Sequence, residues 1–264
     1  MPELPDVEIF RRYLEATSLN KVMQKVDVLN PELLEGTSSF RLKRVMNGAR
    51  LKSACRHGKY LFGQMDSGKT LVLHFGMTGF LKYFKKPAEA PSHVWLLIDF
   101  ADGYHLAYDC QRKLGKITLI DNVEKYVQKQ GLGPDPFQPN FDEKQFKNAL
   151  AEVKGTVKSA LMNQHIIAGI GNIYSDKILF QAGIHPKTSA EQLDYTSLES
   201  IFYQMKEHVL PVAIEAGADP KRFPSSFIIP RRKAGGECPK CMGTIVKEKI
   251  SRRTAYYCSY CHKN

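Results

Sequence analysis

The chain has no apolar run approaching the roughly 18 or more residues of a membrane span; its longest apolar stretches are short, such as "VWLLI". Nor does it open with a basic segment followed by an apolar one, so no secretory leader is read and no membrane partner is expected. The expected location is cytoplasmic and nucleoid-associated. Internal repeats and low-complexity tracts are absent. Acid is scarce: Asp and Glu number 27 against 38 Lys and Arg, a formal charge of +11, which is the footprint of a polyanion binder. Charge alone leaves DNA, RNA and an anionic membrane surface open. Cysteine is too thinly spread over most of the chain for a disulfide scaffold. Cys55 and Cys110 stand alone and read as reduced structural thiols, while the other four crowd into the last 27 residues.

What is present fits an α+β multidomain chain, since 264 residues suffice for two ordinary domains or one large one with an appendage. Val7, Phe10, Tyr13 and Leu14 fall at helical spacing over Asp6 to about Ala16, with Asp6 placed as an N-cap. From about Lys21 to Asp121, segments such as "KYLFGQM", "TLVLHF", "HVWLLIDF" and "KITLI" predict an antiparallel β domain of sandwich or barrel type. The Pro- and Gly-rich "GLGPDPFQPNF" marks a linker. Beyond it "DEKQFKNALAEV", "TVKSALMN", "NIYSDKILFQAG" and "YTSLESIFYQMKEHVLPVAIEAG" read as helices, the third stopping at Gly183. The predicted divisions are 1–131, a linker at 132–141, a helical domain at 142–229 and a compact basic module at 230–264.

That last module carries C-x2-C-x16-C-x2-C, formed by Cys238, Cys241, Cys258 and Cys261. Two residues between paired thiolates let both reach one tetrahedral ion, so a structural Zn2+, one per chain, is expected. Four protein ligands leave no open position, and His262 is read as a surface residue rather than a fifth candidate. Between the pairs, "VKEKISRRTAYYC" predicts a β-hairpin bearing Lys247, Lys249, Arg252 and Arg253, suited to a phosphate backbone or a groove. Upstream, "NQHIIAGIGNIYSDKILF" places a glycine turn before a helix that Asn172 is positioned to cap, and the first helical amides there suit phosphate. The spacing of this turn matches neither a dinucleotide fingerprint nor a phosphate-binding loop.

Taken in order, "PELPDVE", "GKYL", "HFGMTG", "LGPDP", "AGIGNIYSDKILFQAGIHP" and the cysteine quartet resemble the formamidopyrimidine-DNA glycosylase and endonuclease VIII family over nearly the whole chain. The resemblance implies an N-terminal catalytic β-sandwich with a leading helix, a helix-two-turns-helix DNA-binding domain and a C-terminal zinc-finger β-hairpin, with duplex DNA held between domains. It implies excision of oxidised bases followed by β,δ-elimination at abasic sites, by a monomer acting on double-stranded DNA. The family's nucleophile, an N-terminal proline exposed by removal of the initiator Met, maps to Pro2; its acid partner maps to Glu3 and its β-domain lysine to Lys59. DNA contacts map to Lys158, Asn172 and Arg253, with Arg252 selected instead if the register is off by one. Met77, Arg112 and Leu114 map to the residues that fill the gap left by an extruded base. Without the resemblance, Met77 reads better as a core methionine.

Three departures stand out. Asp6 replaces a usual Glu, and Lys177 replaces a usual acid, adding to the basic surface. "DCQRKLG" lacks the "DPRRFG" form, so Leu114 stands in for an aromatic wedge, and "GADPKRFPSSFIIPRRKAGG" is shorter than the lesion-capping loop associated with 8-oxoguanine preference.

The chemistry is one the residues can support. A chain-terminal amine, with an ordinary pKa of about 7.7 to 8.0, keeps a useful neutral fraction where a lysine near 10.4 does not. A secondary amine gives a cationic iminium directly, which acidifies the neighbouring C2′ proton. Glu3 serves as general acid or base, and Lys59 counters phosphate charge or protonates a leaving group. Two other readings compete: a non-catalytic damaged-DNA-binding relative, which has no need of Pro2, Glu3 and Lys59 together, and an RNA-binding zinc ribbon, which leaves the amino-terminal motif unexplained.

Overall fold

The computed structural model describes residues 1–217, 219–229 and 231–262. Pro230 and Asn264, the two ends of the expected basic module, lie outside the described residues. The chain forms two compact units, Met1–Pro2 with Asp6–Gln130 and Glu3–Pro5 with Gly131–Asn264.

Helix α1 (Leu4–Ser18) begins two residues before the expected start, so Asp6 lies in its first turn instead of capping it. Its apolar stripe holds as predicted: Val7 and Leu14 are buried, with Phe10 and Tyr13 packed beside them. Strand β1 (Met23–Val28) leads to helix α2 (Ser39–Met46), which was not anticipated. Three cations in eight residues mask its short apolar pattern, yet Ser38 caps it by accepting from the Arg41 amide at 3.2 Å, and Leu42 and Met46 are buried.

Seven further strands follow: β2 (Leu51–His57), β3 (Tyr60–Met65), β4 (Thr70–His74), β5 (Gly79–Phe84), β6 (Val94–Phe100), β7 (His105–Cys110) and β8 (Lys116–Ile120). They form two four-stranded antiparallel sheets, ordered β1-β6-β7-β5 and β2-β3-β4-β8. Leu51, Leu71 and Leu73 from one sheet meet Leu81, Ile98 and Leu106 from the other around one apolar interior, which makes the architecture a sandwich. The stretch "GQMDSGKT", residues 63 to 70, fits the spacing of a phosphate-binding loop, but it turns from β3 into β4 with no helix to receive a phosphate. A second unanticipated helix, α3 (Val123–Lys129), closes this unit, capped by Asn122.

In the other unit, helices α4 (Glu143–Leu150), α5 (Val157–Met162) and α6 (Asn172–Ala182) match the expected segments, and Gly183 ends α6 in the left-handed conformation at φ 72°. The long fourth segment is not one regular helix. It divides into α7 (Tyr195–Tyr203), a π-helical stretch Gln204–Val209 and α8 (Leu210–Glu215). Pro211 in the next turn has no N–H to continue the α ladder, and the backbone widens ahead of it. Strands β9 (Ile245–Ile250) and β10 (Arg253–Cys258) form the predicted hairpin. Ser251 and Arg252 make its two-residue turn, both at positive φ (47° and 65°).

Candidate active site

Glu3 is buried, 1 % exposed, and it sits on the start of α6. One carboxylate oxygen accepts from the Gly171 amide at 2.7 Å and the Tyr174 amide at 3.1 Å; the other accepts from Ile173 at 2.9 Å. These are the orphan donors of a helix N-terminus, where the dipole also favours an anion. The amides expected to meet phosphate are therefore taken by the chain's own third residue. Asn172 does not cap α6: Gly171 holds the cap position and Asn172 is the first helical residue, its Oδ1 buried without a hydrogen-bond partner.

Both glycines of the turn exist to admit the amino-terminal segment. A Cβ on Gly169, which has φ 106°, would lie 2.7 Å from the Leu4 side chain, and one on Gly171 would lie 2.5 Å from Glu3 Cδ. The Leu4 amide donates to Gly169 O at 3.0 Å, locking the segment in place.

Behind this turn lies a charged centre that sequence reasoning missed. Lys158 on α5 is 1 % exposed, and its ammonium donates to Asp176 Oδ1, to Ser175 Oγ at 3.3 Å and to Asn172 O at 3.4 Å. Arg232 grips the other oxygen of Asp176 through Nε at 3.1 Å and Nη2 at 2.7 Å, and the Tyr256 amide of β10 donates to it at 3.2 Å. Burial lowers the Lys158 pKa and raises that of Asp176, each opposed by the partner's charge. Lys158, expected at the DNA surface, is turned inward because its carboxylate partner lies there. Lys177 likewise adds nothing to the basic surface; it is buried, with Nζ 4.1 Å from the Tyr174 ring centroid and 3.8 Å from that of Phe223. The available signal was a polar triplet, Ser175 to Lys177, set between apolar Ile173–Tyr174 and Ile178–Phe180 in a helix buried on all sides from Tyr174 to Phe180.

In the sandwich unit, Lys59 is buried in the tight β2–β3 turn after Gly58, at φ 55°. Its charge acts on His74 at the end of β4, whose pKa is pushed down to about 4 by burial first, then by Lys59 and Lys116. His74 packs 4.8 Å from the Tyr60 ring as a neutral imidazole, another residue that sequence reasoning passed over within "HFGMTG". Met77, Arg112 and Leu114 are exposed, Met77 by 37 % and Leu114 by 51 %, so Met77 is no core residue. Their loops are tied together. The Arg112 amide donates to Thr78 Oγ1 at 2.9 Å, and a Cβ on Gly76 would lie 2.4 Å from the Leu114 backbone.

At the hairpin tip, exposed Arg253 and Ser251 share a notch of about 170 Å³ with Ser159, Met162 and Asn163 of the α5 end. The sulfurs of Cys238, Cys241, Cys258 and Cys261 all lie within 4.8 Å of one another. A tetrahedral ion with bonds of about 2.3 Å needs sulfurs roughly 3.8 Å apart, so the donor set fits. Amides of Lys240, Gly243, Tyr260 and Cys261 donate to these sulfurs at 3.2–3.4 Å, as thiolate ligands require. His262 is buried, not at the surface; its Nδ1 lies 3.1 Å from the Cys258 amide nitrogen.

Residues 1–117 match the family described as formamidopyrimidine-DNA glycosylase N-terminal domain, and residues 132–225 match the formamidopyrimidine-DNA glycosylase H2TH domain. The formamidopyrimidine-DNA glycosylase of Ligilactobacillus salivarius is 32 % identical over 276 residues, covering 99 % of this chain and 98 % of the relative. That of Pelobacter propionicus is 32 % identical over 100 % of both. Lactococcus lactis Fpg in complex with an oxidised-pyrimidine-containing DNA superposes with a TM-score of 0.91 at 30 % identity over the full length of both chains. The complex of the Lactococcus lactis protein with an abasic-site-containing DNA superposes at 0.89, with 30 % identity, covering 99 % of this chain and 100 % of that one. Among the described residues no helix is long and apolar enough to cross a membrane.

Proposed function

Since the chain belongs to the formamidopyrimidine-DNA glycosylase family, we propose that it removes oxidised bases from duplex DNA through a Schiff base on Pro2 and then cuts the strand by β,δ-elimination, in base excision repair. It is a DNA glycosylase acting on damaged bases, and abasic-site lyase activity is characteristic of its family. The observation that carries the mechanism is the seat of Glu3: a buried carboxylate fixed by three amides, one residue from the proposed nucleophile.

Removal of Met1 frees the Pro2 nitrogen as a secondary amine. That nitrogen attacks C1′, the bond to the damaged base breaks, and opening of the sugar ring leaves an iminium. Loss of the C2′ proton then expels the 3′ phosphate, and a second elimination expels the 5′ phosphate. Glu3, held rigidly where a proton must be moved at the sugar, acts as the general acid or base, a role worth about 10²–10⁴-fold in rate. Lys59 counters phosphate charge. Met77, Arg112 and Leu114 fill the space of the extruded base, and exposed Arg253 and the side chain of Asn172 contact the DNA.

The cysteine quartet holds one structural Zn2+, which keeps the hairpin folded and has no open position for chemistry. Metal analysis of the purified chain is expected to return one zinc per chain. The protein works as a cytoplasmic, nucleoid-associated monomer on double-stranded DNA containing oxidised bases or abasic sites, in keeping with its charge of +11.

The deciding experiment is borohydride trapping on abasic and oxidised-base duplexes. Chain lacking Met1 is expected to form a covalent adduct, whereas Pro2→Gly and a form retaining Met1 bind DNA without one. An undiminished adduct from either variant would remove Pro2 as nucleophile. Binding without any adduct from the wild type would favour the non-catalytic relative.

A further inference from the structure

Resting on that reading, we propose that Asp176 is a positioning residue: it holds Lys158 inward beneath the first turn of α6, next to Glu3, and clamps the cysteine-bearing hairpin to the same helix.

The geometry accounts for every proton of the Lys158 ammonium. Its three hydrogens point at Asp176 Oδ1, Ser175 Oγ and Asn172 O, leaving none for a DNA phosphate. Two of those acceptors, Asn172 O and Ser175 Oγ, belong to the same helical turn whose amides hold Glu3. Lys158 therefore acts on Glu3 through the turn they share, and its charge is felt by Glu3 across it.

Charge bookkeeping gives the same answer. Lys158, Arg232 and Asp176 together carry one net positive charge, matched by the single negative charge of Glu3. The charged groups facing Lys158 are Asp176 from α6, Arg232, Glu3, and Arg253 across the notch that both line. Asp176 is the only anion that contacts Lys158 or Arg232 in an ion pair among the described residues. Without it, the buried Lys158 ammonium and the half-buried Arg232 guanidinium are left with no anion between them, and Lys158 sheds its proton far more readily.

Asp176 also stands one position before the residue where the family resemblance places an acid. One helical step is about 100° of rotation, which turns the carboxylate away from Lys177's aromatic seat and toward α5 and β10. The same carboxylate oxygen that accepts from the Tyr256 amide also receives both Arg232 nitrogens, and the Arg232 guanidinium stacks 4.3 Å over the Tyr256 ring. One side chain thus serves the reacting end of the unit and the docking of its hairpin.

The test is Asp176→Asn, which keeps the shape and removes the charge. The alkaline limb of the base-excision pH profile is expected to move acidward by a unit or more, with kcat reduced at least tenfold and KM for duplex DNA within threefold. In a Lys158→Met background the same substitution is expected to leave the limb unmoved. A purely structural role would lower activity evenly with no shift, and an unshifted limb in Asp176→Asn overturns the proposal. Hydrogen exchange, read without DNA, is expected to quicken at least tenfold at the Tyr256 amide while the β9–β10 ladder stays protected; unchanged exchange overturns the clamp. Should the variant not fold, the Lys158 Nζ resonance of the wild type decides: an exchange-protected ammonium at pH 7 supports the assignment, and a neutral or freely exchanging amine overturns it. Failure of the family function is separately visible as absence of a trapped adduct from the wild type.

Discussion

Glu3 spends both carboxylate oxygens on backbone amides, and a side chain held at three points cannot be nudged without being displaced. Gly171→Ala tests this at one atom. The glycine's φ of −130° suits any residue, so the only penalty is the new methyl 2.5 Å from Glu3 Cδ. Excision is expected to fall at least about 100-fold, the lower end of what a positioned acid or base contributes, with a stability loss of about 1–3 kcal/mol for the disturbed buried hydrogen bonds. Excision kinetics and a thermal melt check both. His74 makes a second prediction, in pH. Its folded pKa of about 4 lies below the ordinary value of 6.5, so its neutral form stabilises the fold above about pH 6.5 and that contribution drains away as pH falls toward 4. The loss between pH 7 and 4 is about 3 kcal/mol at 1.36 kcal/mol per unit. His74→Gln is expected to flatten that part of the stability profile, measured by denaturant titration at each pH.

The hairpin of β9 and β10 separates two arginines that a one-residue register shift would exchange. Arg252 lies in the turn at φ 65°, while Arg253 opens β10 and lines the notch with Lys158 and Ser159. Arg253→Ala is expected to weaken DNA binding on all sequences alike and to reduce the slope of log K against log salt by about one, whereas Arg252→Ala leaves the slope unchanged. Fluorescence anisotropy across a salt series reads the difference. At this scale the sequence was legible where periodicity was strong or ligand spacing strict: α1, α4, α5 and α6, the hairpin and the cysteine quartet all stand where residue pattern put them. Helix α2 was hidden because three cations in eight residues dilute its apolar stripe, and α3 because it buries no residue fully and so shows no strong apolar face. The seat of Glu3 was hidden for another reason. Its partners lie 168 to 171 positions away, and no local pattern records a pairing at that separation. Lys158 was mapped to DNA by the family resemblance, and Lys177 was counted with the basic surface as a departure from it; a carboxylate turns the first inward and two aromatic rings seat the second.

For the whole molecule, the excess of 38 basic over 27 acidic residues predicts binding to undamaged duplex that falls steeply with salt. On the proposed reading, recognition of damage is then a matter of the few residues that replace an extruded base, not of net charge. The two four-stranded sheets and the helical unit each have their own apolar core, so either can be perturbed in its interior with the other's packing as an internal control. The placement of Glu3–Pro5 with residues 131 onward has a temporal side. At about 5–20 residues per second, the 168 positions between Glu3 and Gly171 take on the order of 10 to 30 s to synthesise. The amino terminus leaves the ribosome long before the amides that hold Glu3 exist. On the proposed mechanism, a nascent chain carries a proline amine with no proton-handling partner, and its chemistry switches on only when the glycine turn has emerged and closed around Glu3.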